Sequence, residues 1–176
     1  YGGLSLAPLY TDGMVMQRDA PISFRGLANV GSVVKVTFDG LSQSTTADTD
    51  GTWSIRFPAH KAGGPYKAVI IAGKEKLMLR DIYVGEVWLC SGQSTMELPV
   101  SAVQSREQDL SEADQQSLIH LFNMPTRYPT DAKSWSLAAC DSVNRHQLLR
   151  VGPWKNCSHE SLSGFSAVAY HFGKTL

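Results

Sequence analysis

This chain of 176 residues has few cysteines, no net charge and no long apolar run. Three cysteines are too few for a disulfide scaffold, and an odd number cannot all pair within the chain. Sixteen basic residues balance sixteen acidic ones, which argues against nucleic acid or an anionic membrane as the main partner. No apolar run approaches the roughly 18–20 residues of a membrane span. Since 43% of the residues are hydrophobic, we expect a folded globular protein.

Short β-type runs separated by turn signals fill the first half of the chain. In four of these runs, apolar residues alternate with polar ones, so each strand has one buried and one wet face. The apolar members are Ile22, Phe24, Val34, Val36, Phe38, Trp53, Ile55, Phe57, Tyr66, Ala68 and Ile70. The regular turns indicate an antiparallel sandwich or barrel. We expect a jelly-roll-like β-sandwich over residues 1–81, with Phe24, Val36, Trp53 and Ile55 in its core.

The pattern changes in the second half of the chain. Residues 82–90 are nearly continuously apolar, which is typical of a strand covered on both faces in a parallel sheet. The polar residues 104–117 predict a helix, and residues 119–124 predict a second short strand. Apolar residues over 165–176 recur at helical spacing and predict an amphipathic helix capped by Ser163. This alternation of strands and helices predicts an α/β domain.

We expect the predicted α/β domain to be incomplete. Two parallel strands with two helices cannot cover both faces of a sheet, and sheets usually have about four to six strands. The chain opens at Tyr1 without a signal peptide and reaches Leu176 inside a predicted helix. We therefore expect residues 82–176 to be the first part of a truncated domain. On this interpretation, we expect the whole chain to be an N-terminal fragment of a larger enzyme.

A run of small residues, 91–95, follows the predicted buried strand. Gly92 lets the backbone bend sharply and expose a hydroxyl at the carboxyl end of a sheet, where open α/β folds bind ligands. Backbone N–H groups at the start of the next helix can donate to a developing oxyanion. Ser94 is therefore the candidate nucleophile, with Gly92, Gln93 and Thr95 as its motif neighbours. A plain glycine–serine loop is the alternative interpretation.

Five segments, in one order along the chain, resemble sialate O-acetylesterases. They are residues 12–18, 47–53, 63–66, 85–94 and 165–170. The resemblance implies a β-sandwich followed by an SGNH-type esterase domain with a flavodoxin-like α/β core. It implies hydrolysis of O-acetyl esters on sialic acids without a metal or other cofactor. It also implies that Ser94 is the catalytic nucleophile.

The chain departs from the family pattern in two respects. Thr95 stands where the family usually has Asn, so any hydrogen bonds of that amide are lost. The glycine and asparagine that complete the family's oxyanion hole, and its Asp-x-x-His pair, match nothing before Leu176. Because a serine hydroxyl is a poor nucleophile without an adjacent base, we expect the catalytic His and Asp beyond Leu176. We expect residues 1–176 alone to be inactive.

Other reactive or aromatic residues are predicted to be structural. None of the histidines has an Asp three residues before it, so we expect none to be the catalytic base. They are His60, His120, His146, His159 and His171. Trp53 and Trp88 lie in apolar strand patterns and are expected in the core. Cys90, at the end of the predicted buried strand, is expected to be a small buried thiol.

Two features concern the cellular compartment. Cys140 and Cys157 flank an irregular region and could pair in an oxidising environment. Residues 156–158 read Asn-Cys-Ser, which fits the N-glycosylation pattern of glycoproteins. Together with the resemblance, these features predict a secreted, lysosomal or periplasmic protein.

Three functions are compatible with these features of the sequence. The first is removal of O-acetyl groups from sialic acids, and the second is the same chemistry on another polysaccharide such as xylan. The third is a glycan-binding module without catalysis. The motif around Ser94 favours an enzyme, because a binding module does not need it. The expected partner is O-acetylated sialic acid or a related acetylated glycan, together with the missing C-terminal part of the same enzyme.

Overall fold

The computed structural model describes residues 3–124, 135–144 and 152–176, except the side chains of 142–144. Within these residues the first half of the chain is made of strands, and helices follow. The strands are β1 Ser5–Leu6, β2 Val15–Gln17, β3 Pro21–Leu27, β4 Val33–Phe38, β5 Leu41–Thr46, β6 Thr52–Ala59, β7 Gly63–Ala72, β8 Glu75–Gly85, β9 His120–Leu121 and β10 Lys155–Asn156. The helices are α1 Ser94–Glu97, α2 Arg106–Glu112, α3 Leu137–Asn144, α4 His159–Ser163 and α5 Ala167–Lys174.

Strands β1 to β8 form two sheets. The smaller sheet has the order β1-β3-β6, and the larger has the order β2-β8-β7-β4-β5. Neighbouring strands are antiparallel, except that β2 runs parallel to β8. Both sheets contribute side chains to one hydrophobic cluster, as period-two alternation requires.

The core predicted from this alternation is confirmed. Phe24, Val36, Trp53 and Ile55 are each at most 4% exposed. The ring of Phe24 packs 5.6 Å from that of Phe38 and 6.0 Å from that of Phe57, centroid to centroid. The Phe24–Phe38 contact joins the two sheets, because Phe38 belongs to β4, while Phe24 and Phe57 belong to β3 and β6 of the smaller sheet. The β-rich architecture expected for the first half is therefore present.

The strand predicted over residues 82–90 is wrong in its second half. Strand β8 ends at Gly85 and pairs antiparallel with β7 inside the larger sheet. Residues 86–93 have no regular structure, and their side chains are exposed, with Leu89 90% exposed. Trp88 and Cys90, both expected to be buried, are exposed as well. Within the described residues, no second layer packs on this segment as it would on a central parallel strand.

The predicted helix over residues 104–117 is confirmed as α2, which a 3-10 turn extends to Gln115. The strand predicted at 119–124 shortens to β9, which pairs antiparallel with β10 and not in a parallel sheet. The terminal helix is α5, and its N-cap is Ser166, not Ser163. The side chain of Ser166 accepts a hydrogen bond from the backbone N–H of Ala169. Because α4 ends at Ser163, the chain turns once more before α5 begins.

The helices and the β9–β10 pair enclose a second, smaller hydrophobic cluster. Its fully buried members include Val100, Ala113, Leu162 and Tyr170. Leu162 and Tyr170 come from α4 and α5, and Val100 and Ala113 come from the 3-10 turns before and after α2, so the apolar sides of these short elements meet one another. The second half of the chain therefore has a core of its own.

Hydrogen bonds join this second part to the two sheets. His120 Nδ1 donates to the carbonyl of Gly13 over 2.6 Å, and the His120 ring packs against Tyr83 of β8. The backbone N–H of Trp154 donates to Thr11 Oγ1, and its indole N–H donates to the carbonyl of Leu9. The structural role predicted for His120 agrees with these contacts.

Candidate active site

Ser94 lies at the surface, at the first position of α1. Gln93 is the N-cap of this one-turn helix, and Gly92 and Thr95 are also exposed. The sequence predicts a strand-to-helix turn here, and the helix does begin at Ser94. The preceding strand ends earlier, at Gly85, and the irregular segment of residues 86–93 joins the two.

The far end of α1 is held by the residues that begin α5. The backbone N–H of Ala167 donates to the carbonyl of Leu98 over 2.9 Å, and the N–H of Val100 donates to the carbonyl of Phe165 over 2.9 Å. The hydroxyl of Ser166 lies 3.3 Å from the sulfur of Met96. These contacts fix the position of α1 relative to α5.

The segment before Ser94 is held on two sides. The backbone N–H of Val87 donates to Gln17 Oε1 over 3.0 Å, which ties the segment to β2. The ring of Trp88 contacts that of Phe172 on α5, at a centroid distance of 5.0 Å. Helix α5 therefore touches the chain on both sides of Ser94.

A large, mainly apolar groove lies beside the motif, with a volume of about 1320 Å³. Cys90, Gly92 and Met96 line one part of it, and Phe122 and Phe172 line another. His120 and Tyr170 also line the groove. His120 Nε2 and the Tyr170 hydroxyl are buried and have no hydrogen-bond partner among the described residues. The groove exceeds the roughly 300–1,000 Å³ that small-molecule sites occupy.

No histidine in the described residues is hydrogen-bonded to Ser94. His60 lies in the sandwich and bonds Asp39 over 2.7 Å, while His120 bonds the Gly13 carbonyl. His159 is exposed at the start of α4. His146 lies outside the described residues. In the part of the chain that the structure describes, no hydrogen-bonded histidine is therefore available as the base for Ser94.

Asp109, which no sequence motif indicated, is the one charged residue buried in the part of the chain described. Its carboxylate is 3% exposed and accepts hydrogen bonds from Ser105 Oγ (2.6 Å) and His171 Nε2 (3.0 Å). Lys174 Nζ lies 3.9 Å from its other oxygen. Helical spacing could have placed Asp109 inward, because Ala113, four residues later, is fully buried.

Ser105, His171 and Asp109 do not form a catalytic triad. In a triad the serine donates to one histidine nitrogen and the carboxylate holds the other. Here Ser105 Oγ donates to Asp109 Oδ2, and His171 Nε2 faces the same oxygen. The cluster instead satisfies a buried carboxylate with groups from α2 and α5.

Lys174 extends this cluster to the surface. Its Nζ donates to Glu112 Oε2 over 2.7 Å. This hydrogen bond raises the pKa of Lys174 and lowers the pKa of Glu112. The Lys174–Glu112 pair links the last turn of α5 to the last turn of α2. Asp109, three residues before Glu112, makes a second link between the same helices through its contacts with His171 and Lys174.

The cysteines are free in this structure. The pairing considered for Cys140 and Cys157 is not formed, and burial raises the pKa of the Cys157 thiol. Asn156 is exposed on β10. Among the described residues no cluster of His, Cys, Asp and Glu could hold a metal ion, and no helix has the length and apolar character needed to cross a bilayer.

No family model matches this chain. Sialate O-acetylesterase from Pongo abelii is 30% identical over 188 residues, covering 99% of this chain and 34% of the relative. The rat protein of the same name is 26% identical over 185 residues, again covering 99% of this chain. The resemblance to sialate O-acetylesterases is confirmed. The chain spans about one third of the length of these curated relatives.

A solved structure gives the same result for the fold. The crystal structure of a carbohydrate acetylesterase from Xanthomonas citri superposes with a TM-score of 0.82 and 31% identity. The match covers 98% of this chain and 37% of that one. The described arrangement of sheets and helices is therefore similar to a portion of that acetylesterase.

Proposed function

We propose that this chain is the N-terminal part of a carbohydrate acetylesterase that removes O-acetyl groups from sialic acids through Ser94. The observation that carries the proposal is an exposed serine, in its motif at the start of α1, on a chain similar to sialate O-acetylesterases over 99% of its length. An exposed hydroxyl can reach an ester on a bulky glycan, whereas a buried one cannot.

The chemistry follows from this assignment. Ser94 Oγ attacks the acetyl carbonyl, its proton passes to a base, and the carbonyl oxygen becomes an oxyanion. Backbone N–H groups of the motif, including Gly92, donate to that oxyanion. The bond between the acetyl carbonyl carbon and the sugar oxygen then breaks. The base returns its proton to that oxygen, and the sugar leaves with a free hydroxyl. Water hydrolyses the acetyl-Ser94 ester and releases acetate.

The base and the remaining oxyanion donors are assigned to polypeptide that the relatives have and this chain does not span. The groove lined by Gly92 and Met96 supports this assignment, because it is mainly apolar and larger than a small-molecule site. Val87, Trp88 and Leu89 are also exposed along it, and large exposed apolar patches mark interaction surfaces. The catalytic His and Asp would lie on the polypeptide that covers this groove.

The proposal divides the chain into two domains. Residues 1–81 form the β-sandwich domain, and residues 82–176 begin the SGNH-type esterase domain. Residues 82–85 nevertheless pair inside the larger sheet as the end of β8. The esterase sheet would therefore use the apolar residues after Gly85, which are exposed here.

A second substrate is favoured by one comparison. The similar protein from Xanthomonas citri is described as a carbohydrate acetylesterase without reference to sialic acid. An acetylated polysaccharide such as xylan is therefore the alternative substrate. A glycan-binding module without catalysis is the remaining alternative.

The test uses this chain extended past Leu176 to the length of its relatives. Acetate release is measured from O-acetylated sialic acid and, in parallel, from acetylated xylan. Ser94→Ala should lower turnover by about 10⁴–10⁶-fold, as removal of a triad nucleophile does. Ser101→Ala, which removes another exposed hydroxyl, is the matched control and should change turnover less than about threefold.

The outcomes separate the candidates. Faster acetate release from acetylated xylan identifies the polysaccharide esterase. Glycan binding without acetate release identifies the binding module. If Ser94→Ala keeps activity within about tenfold of wild type, Ser94 is not the nucleophile.

A further inference from the structure

Helix α5 contacts the Ser94 segment on both sides. Before Ser94, Trp88 packs on Phe172, and after it, Met96 and Leu98 contact Ser166 and Ala167. A helix that contacts the chain before and after a residue limits how far that residue can move. The position of Ser94 therefore depends on the position of α5.

Helix α5 is in turn anchored by a buried charge on α2. Asp109 is the anchor, and its partners on α5 are His171 and Lys174, which are three residues apart and share one face. A carboxylate removed from water is costly unless charged or polar donors compensate it. The buried carboxylate therefore favours the one placement of α5 in which His171 and Lys174 face it.

We propose that Asp109 is a positioning residue for Ser94, acting through its contacts with His171 and Lys174 on α5. The proposal rests on the function assigned to Ser94 above. Asp109 contacts Ser105, His171 and Lys174, and it does not line the groove beside the motif. Its effect passes along α5 to Phe172 at one end of the loop and to Ser166 at the other.

The expected effect is on the chemical step. Misplacement of a nucleophile by about 1 Å can cost on the order of 10²-fold in rate. Asp109→Asn keeps the size of the side chain but removes the charge that holds His171 and Lys174. We expect kcat to fall by about 10–100-fold. KM should stay within about threefold, because Asp109 does not line the groove beside the motif.

A second readout follows the geometry without any chemistry. The ε-methyl group of Met96, next to the sulfur that contacts Ser166, can be observed by NMR after ¹³C-methyl labelling of the methionines. In the extended polypeptide, Asp109→Asn should shift this methyl signal. Glu107→Gln is the matched control, since it removes the same charge from an exposed position of the same helix. It should leave both the Met96 signal and kcat unchanged.

The proposal is overturned if Asp109→Asn leaves either the Met96 signal or kcat at its wild-type value. If Asp109→Asn does not fold, His171→Ala decides, because His171 is half exposed and its loss removes only one donor. It should move the Met96 signal in the same direction by a smaller amount, and an unmoved signal overturns the proposal. The two proposals can fail separately. Retained activity in Ser94→Ala contradicts the proposed function, whereas an unmoved Met96 signal in Asp109→Asn contradicts the positioning role of Asp109.

Discussion

The rings of Trp88 and Phe172 meet edge to face, with centroids 5.0 Å apart and planes inclined at 77°. Both side chains remain partly exposed, Trp88 at 55% and Phe172 at 41%. This is the contact that joins the irregular segment before Ser94 to the last helix. Because the side chains of residues 86–93 are exposed, the conformation of this segment should depend strongly on the Trp88–Phe172 pair.

The first prediction concerns the energy of this pair. In a double-mutant cycle with Trp88→Ala and Phe172→Ala, the coupling free energy should be about 0.5–1.5 kcal/mol. Chemical denaturation of the four proteins measures it. Pairing Trp88→Ala with Val168→Ala, which truncates another exposed residue of α5, should give a coupling near zero. Equal couplings in the two cycles would show that the ring contact has no specific role.

The second prediction concerns the close approach of β1 and β3. A Cβ atom at Gly26 would overlap the carbonyl of Ser5 on the neighbouring strand. Gly26→Ala should therefore lower the free energy of unfolding by about 1–3 kcal/mol, because the backbone of one strand must move. Gly164→Ala is the control, since a Cβ there meets no described atom within 4 Å. Equal stability of the two variants would contradict the close approach.

The third prediction concerns pH. The pKa of His60 is raised mainly by its hydrogen bond to Asp39 and, to a smaller extent, by its hydrogen bond to the carbonyl of Lys61. The charged form is favoured in the folded state, so the stabilisation is fully present below the unfolded pKa of about 6.5. It is lost as pH rises through the higher folded value.

Asp39→Asn tests this dependence. Asp39 has a φ of +44°, a conformation that Asn also tolerates, so the turn is preserved. At about pH 5.5 the variant should be less stable than wild type by up to about 1 kcal/mol, because the pair is partly exposed. The difference should be small at pH values well above the folded pKa of His60. A difference that grows with rising pH would have the wrong sign for this pair.

The sandwich core could be predicted from sequence because its signal is local. Alternation around Phe24, Val36 and Ile55 needs only neighbouring residues to show which face is buried. The end of the strand after Ile82 could not be predicted in the same way. A continuous apolar run shows that a segment avoids water, but where its pairing ends depends on which strands lie beside it. In this structure the last pairs are with β2 and β7.

The candidate site was only partly predictable for a related reason. The motif around Ser94 is contiguous in sequence, whereas Asp109 and its partner His171 are 62 residues apart. Their contact exists only once α2 and α5 pack together, so no local pattern reveals it. The cap of α5 illustrates a smaller ambiguity, since Ser163 and Ser166 are both suitable caps by residue type. The predicted secreted, lysosomal or periplasmic location stays a prediction.

The hydrogen bonds from His120 and Trp154 to residues 9–13 have a consequence for the integrity of the chain. They join the two hydrophobic clusters at a place far in sequence from residues 86–93, where the backbone passes from one cluster to the other. A protease cutting in that exposed segment would break the covalent connection, while the hydrogen bonds of His120 and Trp154 to residues 9–13 would stay intact. The two pieces would remain together as a nicked particle.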